Sequence, residues 1–165
     1  MPILLWLEDS GLSVWLRESP SLFAFPGVLF LHTLGLAMLV GPNVAINLAL
    51  LDRKERIPPE PLRGLYPLMW SGFWINAASG ALLLLAYPTK AVTNPLFFAK
   101  LALVAYAMMY LQWLKPMLRD LPANAPDRRR RHRMAVTSLA LWAGAILFGR
   151  LLAYTYSTLM ATDLV

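Results

Sequence analysis

The sequence predicts an all-α integral membrane protein: a four-helix bundle with an interfacial amphipathic helix at its N-terminus. Three observations predict it. Of the 165 residues, 58% are hydrophobic, against roughly 45–50% in a soluble domain. Only 15% are charged, where about 25% is usual. Four long stretches are also nearly free of Asp, Glu, Lys and Arg. The length suits one domain, read as an outer interfacial helix over 1–20 and a membrane bundle over 21–165.

Residues 1–20 place Leu4, Leu7, Leu12, Trp15 and Leu16 near one helical face, with Glu8, Asp9, Arg17 and Glu18 mostly elsewhere. That pattern fits a helix lying on the outer leaflet. No basic cluster precedes an apolar core and no small-residue cleavage pattern follows, so no removable signal peptide is expected. Ser19 and Pro20 then mark a turn into the first span.

The first span is expected over about 22–51 and the second over 65–87, because neither 21–51 nor 64–89 holds a charged residue. About 20 apolar residues cross the ~30 Å hydrocarbon core. The third span, about 95–115, is broken between Leu96 and Leu114 only by Lys100, and the fourth, 134–156, only by Arg150. Pro42, inside span one, lacks an N–H and should crowd the carbonyl of Met38, which predicts a bend or local unwinding.

Eleven of the fifteen basic residues flank the loops after spans one and three: Arg53, Lys54, Arg56, Arg63, Lys115, Arg119, Arg128, Arg129, Arg130, Arg131 and Arg133. Arg17 and Lys90 remain on the other side. The bias of Lys and Arg toward cytoplasmic loops puts both termini outside. The Arg128–Arg131 run is read as this topological signal and not as a nucleic-acid site, since no soluble fold surrounds it. Contact with anionic lipid is compatible with it. Tyr66, Trp70, Tyr87, Trp113, Tyr154 and Tyr156 fall near span ends, as headgroup anchors do.

Helices in lipid associate by close backbone approach and buried polar contacts. Gly72, Asn76, Ser79 and Gly80 share one face of span two, and Ala145 and Gly149 form a small-xxx-small pair in span four. His32, Asn43 and Asn47 face one way along span one, with Asn76 their expected counterpart. Interhelical hydrogen bonds worth under ~2 kcal/mol each account for the asparagines.

His32, Lys100 and Arg150 are the intramembrane ionisable groups, all in the outer half, and no span contains Asp or Glu. An isolated charge in hydrocarbon costs from ~2.5 to over 10 kcal/mol, so something must relieve it. Lys100 and Arg150 can snorkel to the headgroups, leaving His32 a neutral residue bonded within the bundle. Alternatively the cations face inward onto an anionic ligand. Haem b fits that description: its iron takes an imidazole nitrogen, its propionates take Arg or Lys, and its ring suits an apolar bundle. His32 is then the metal ligand, and Lys100, Arg150, Asn43 and Asn76 complete the candidate cofactor-binding set. Lys100, Met38, Met108 or nothing would hold the second axial position, since His132 lies among arginines at the cytoplasmic end. Quinone, lipid and proton-relay roles stay open.

The stretches 31–41 (LHTLGLAMLVG), 71–73 (SGF), 94–101 (NPLFFAKL) and 149–154 (GRLLAY) together resemble an uncharacterised family of small four-span bacterial membrane proteins, over nearly the whole chain. More distantly, the first-span His and the Ala-Lys-Leu of a later span are similar to the membrane protoporphyrinogen oxidase and copper-resistance D families. The oxidase resemblance implies haem-binding roles for His32 and Lys100. Where many members of the uncharacterised family carry a further His near the end of span three, this chain has Gln112.

Other chemistry lacks its residues. With no cysteine, disulfides, thiolate metal sites, iron–sulfur ligation, cysteine nucleophiles and cysteine lipidation are excluded. No HExxH, paired-carboxylate or glycine-rich phosphate motif occurs, and no Ser or Thr has a His–acid partner nearby. The absence of inverted repeats and of acidic coupling residues argues against a secondary transporter working alone. The second functional expectation is a non-catalytic membrane subunit whose small-residue faces bind a partner helix or a second copy.

Overall fold

The structure, a computed structural model, describes residues 2–52, 59–119 and 128–162, with side chains described over 3–52, 61–115 and 128–152. The described residues are helical, without strands, in the order α1 (Pro2–Glu8), α2 (Gly11–Glu18), α3 (Phe25–Leu51), α4 (Pro59–Arg63), α5 (Leu65–Ala86), α6 (Pro88–Thr93), α7 (Pro95–Arg119) and α8 (Arg128–Thr162). Four segments are long and apolar enough to cross a bilayer: Phe25–Leu51, Pro61–Ala86, Pro95–Lys115 and Arg128–Leu152. The protein is a multi-pass helical membrane protein.

The N-terminal segment is two short helices, not the single one expected. Ser10 breaks it, donating to the Leu7 carbonyl (2.6 Å) and capping α2 by accepting from the Ser13 amide (3.4 Å). A serine oxygen that satisfies an orphan first-turn N–H starts a new helix instead of continuing the old one. The pair is also docked on protein and does not merely lie on lipid. Ser13 Oγ donates to the Leu85 carbonyl (2.8 Å), and Arg17 donates to the carbonyls of Ala86 and Glu8 (2.9 Å each). The bonds to Leu85 and Ala86 satisfy carbonyls at the C-terminus of α5, and the bond to Glu8 satisfies one at the C-terminus of α1. Glu8 accepts from the Thr89 hydroxyl of α6 (2.6 Å). Leu16 turns inward onto Val28 and Ala86, whereas Ile3, Trp6, Leu12 and Trp15 stay exposed and suit the bilayer interface.

α3 runs unbroken through Pro42, so the local unwinding expected there does not occur. One absent N–H removes one backbone bond, and a membrane helix tolerates that loss when its neighbours remain paired.

α3 packs most extensively on α5, α7 packs on α8, and contact between α3 and α8 joins the two pairs. Gly35 and Gly72 set the first pairing. A Cβ at Gly35 would lie 2.6 Å from the Asn76 amide nitrogen and 2.9 Å from the Gly72 carbonyl oxygen; one at Gly72 would lie 2.8 Å from the Gly35 oxygen. The two backbones therefore touch, as small residues permit in a membrane.

Between α3 and α8, Asn47 Nδ2 donates to Asn43 Oδ1 (2.8 Å) and Ser138 Oγ (3.0 Å), with both asparagines fully buried. The main core surrounds this contact and lies toward the end of the bundle where α3 finishes and α8 begins. It comprises Leu39, Ile46, Leu50, Leu62, Tyr66, Met69, Met108, Leu111, Leu114, Trp142 and Ala145, among others. Tyr66, expected as a headgroup anchor, is instead buried in this core beneath the Lys115 ammonium, 5.8 Å from its ring. Trp113 is exposed, as an anchor would be. Tyr154 and Tyr156 lie outside the described side chains.

At the opposite end, the one expected to be the outer end, the second cluster involves only α2, α3, α5 and Tyr87. Among the described residues, no buried cluster joins α7 before Leu103, or α8 after Ala145, to the α3–α5 pair. Among those residues the two helix pairs are thus cemented at the end where α3 meets the start of α8 and share no core at the other.

Candidate functional site

His32 sits on α3 at that outer level. Its Nδ1 lies 3.0 Å from the Asn76 carbonyl oxygen and 3.2 Å from Ser79 Oγ. A carbonyl can only accept, and the Ser79 hydroxyl proton is directed to the Ile75 carbonyl at 2.6 Å. Nδ1 therefore carries the hydrogen, and in the neutral ring Nε2 holds the lone pair. Asn76 completes the exchange, its Nδ2 donating to the His32 carbonyl at 2.7 Å. The imidazole is fixed by a backbone carbonyl of the facing helix, the kind of partner that orients metal-binding histidines.

Gly80 makes room for the ring: a Cβ there would lie 3.1 Å from His32 Cε1. Gly149 does the same for Lys100. The lysine stem crosses α8 so closely that a Cβ at Gly149 would lie 3.4 Å from Lys100 Cε and 3.6 Å from Nζ. Lys100 is partly buried.

Of the five candidate residues, the structure brings His32 and Asn76 into contact, while Lys100 packs on Gly149 of α8. Arg150 is exposed on α8, beyond the glycine that Lys100 covers. Asn43 is elsewhere. It shares a helical face with His32, but eleven residues at 1.5 Å separate them by about 16 Å along the axis, and its partners are Asn47 and Ser138. Asn76 therefore answers His32 alone, and Ser138 answers the two asparagines of α3.

Ser79, Gly80 and Gly149 enter the site without having been singled out for it. Their small size was legible as a packing signal. The side chains they accommodate could be known only once α3 faced α5 and α7 faced α8.

Among the described residues, no three His, Cys or acidic side chains cluster as a metal site. A bare ion would need three or four protein donors, whereas a macrocycle that brings its own equatorial nitrogens needs one axial imidazole. His32 Nε2 satisfies that smaller demand. Met108 is buried in the inner core, and His132 is exposed near the start of α8, so neither shares the level of His32.

Comparison of the chain with protein-family models, with curated proteins and with solved structures gives no match.

Proposed function

We propose that this is a bacterial inner-membrane protein that binds haem b between the outer halves of its two helix pairs, for redox or haem-related chemistry. One observation carries the reading: the His32 Nδ1–H bonds to the backbone of α5, which leaves Nε2 as a single oriented lone pair in a set of spans without acidic residues. The resemblance of His32 and Lys100 to the first-span His and later-span Lys of the protoporphyrinogen oxidase family agrees with it. His32 would be the axial ligand. Lys100 would be either the second ligand or the partner of a propionate, and Arg150 would take a propionate at the exposed edge. Bound haem would supply one-electron redox chemistry. The protein would supply orientation of the imidazole, exclusion of water by the apolar helix faces, and positive charge against the propionates.

The test is an absorption spectrum of the full chain purified in detergent from haem-supplemented cells. A Soret band is expected in the wild type. It should be lost in His32→Ala and kept in His132→Ala, with helical content and melting temperature measured on all three. A colourless wild type, or a Soret band that survives His32→Ala, overturns the proposal.

The alternative of a partner-binding subunit loses the surface it was expected to use. Gly72 is occupied by the backbone of α3 and Gly80 by His32, both within the chain.

The reading also places both termini on the periplasmic side. Because the chain has no cysteine, single-cysteine variants report on this without background. In intact cells a membrane-impermeant maleimide should label Asp9→Cys, at an exposed position, and should label the equally exposed Arg130→Cys only after permeabilisation. The reverse pattern inverts the topology.

A further inference from the structure

A second site lies at the opposite end of the molecule. A cavity of about 440 Å³ is lined by Leu50, Leu51 and Asp52 at the C-terminus of α3 and by Arg128, Arg129, Arg131, His132 and Arg133 at the start of α8. Four guanidinium-bearing residues and one carboxylate-bearing residue share it, a surplus of three positive charges before any proton on His132. A topological signal needs cations on the correct side of the membrane, and scattered loop residues meet that need. It does not need a concave wall assembled from two helices with an apolar floor.

The charges are also misplaced for the helix that carries them. The first turn of α8 is the positive end of its dipole, where carboxylates stabilise and cations do not. An anion seated there would answer the arginines and the dipole together. Arginine presents a planar fork that matches a tetrahedral oxyanion with paired donors. α8 starts the segment Arg128–Leu152, which is long and apolar enough to cross the bilayer, so the pocket lies at headgroup depth, with Leu50 and Leu51 suited to the first carbons of an acyl or glycerol group.

We propose that this pocket binds a phosphate group, carried by an anionic phospholipid headgroup or by a small soluble phosphate ester. The proposal is independent of the haem reading and has its own readout.

The full chain is purified in mild detergent and exchanged into nanodiscs of phosphatidylcholine alone or with phosphatidylglycerol. Retained lipid is counted by native mass spectrometry, and melting temperature is followed with and without inorganic phosphate. The variant Arg128→Gln/Arg133→Gln is compared with Arg63→Gln/Lys115→Gln, which removes equal charge outside the pocket. A hydrogen bond to a charged group is worth about tenfold or more in binding, so the pocket variant should lose on the order of a hundredfold in retained phosphatidylglycerol, well beyond the diffuse surface attraction that both variants forfeit alike. Retention that resists free phosphate identifies the lipid headgroup. Stabilisation of the wild type by free phosphate in phosphatidylcholine, absent from the pocket variant, identifies a soluble ester. Equal losses in both variants, or no loss in either assay, overturn the pocket and leave only diffuse surface attraction.

Discussion

Replacing Gly72 with alanine is expected to destabilise the folded bundle by about 1–3 kcal/mol or more, the cost of forcing a methyl group into filled space. The new carbon would stand 2.8 Å from both the Gly35 carbonyl oxygen and the Leu39 amide nitrogen. Those atoms belong to the backbone of α3 and cannot rotate away, so the helices must separate. Separation would also stretch the bonds between His32 and Asn76 one to two turns further out. Gly35→Ala should cost a similar amount for the reciprocal reason, and the double variant should cost less than the sum, because helices already apart accommodate a second methyl. Gly41→Ala is the control: it lies on the same helix, and nothing stands within 4 Å of its added carbon. Thermal or chemical unfolding in detergent reads all four variants. A Gly72→Ala bundle that unfolds with the wild type would show that the α3–α5 contact is looser than backbone touching backbone.

The parts of this architecture that were legible in the sequence are those encoded by length and angle. A span announces itself by apolar length, which needs no partner to be recognised. The face shared by His32 and Asn76 follows from helical spacing alone. What spacing omits is depth: Asn43 lies within about 20° of His32 by rotation yet about three turns away, and it meets α8 instead of α5. Arg17 was legible only as a cation on the sparse side of the membrane. Its role at the end of α5 depends on a backbone carbonyl at Ala86, 69 residues away, and carbonyls leave no trace in a sequence. The break at Ser10 was a local signal, but the amphipathic face running across it suggested continuity. The arginine run read correctly as charge, whereas its concavity required the end of α3 to be placed beside it.

Lys100→Leu is expected to pull stability and cofactor content in opposite directions. A cation at the centre of a span costs roughly 2.5–3.5 kcal/mol by insertion, and a shallow, partly buried one carries a fraction of that, about 1–2 kcal/mol. No acidic residue within the spans repays it. Leucine keeps apolar contact over Gly149 and offers no atom to a metal, so most of the packing on α8 survives while the charge and the donor are removed. The detergent-purified variant should therefore unfold at a higher temperature than the wild type, and its Soret absorbance per protein should fall severalfold as the propionate partner or second ligand is lost. Functional sites are where natural chains tolerate unfavourable charge, and a residue whose removal strengthens the fold while weakening binding is held in place by its ligand. A lysine that merely reached for headgroups would give a different result, with melting temperature and absorbance both unchanged. If the variant were less stable and equally coloured, Lys100 would be a packing residue, and His32 alone would carry whatever the outer end of the bundle binds.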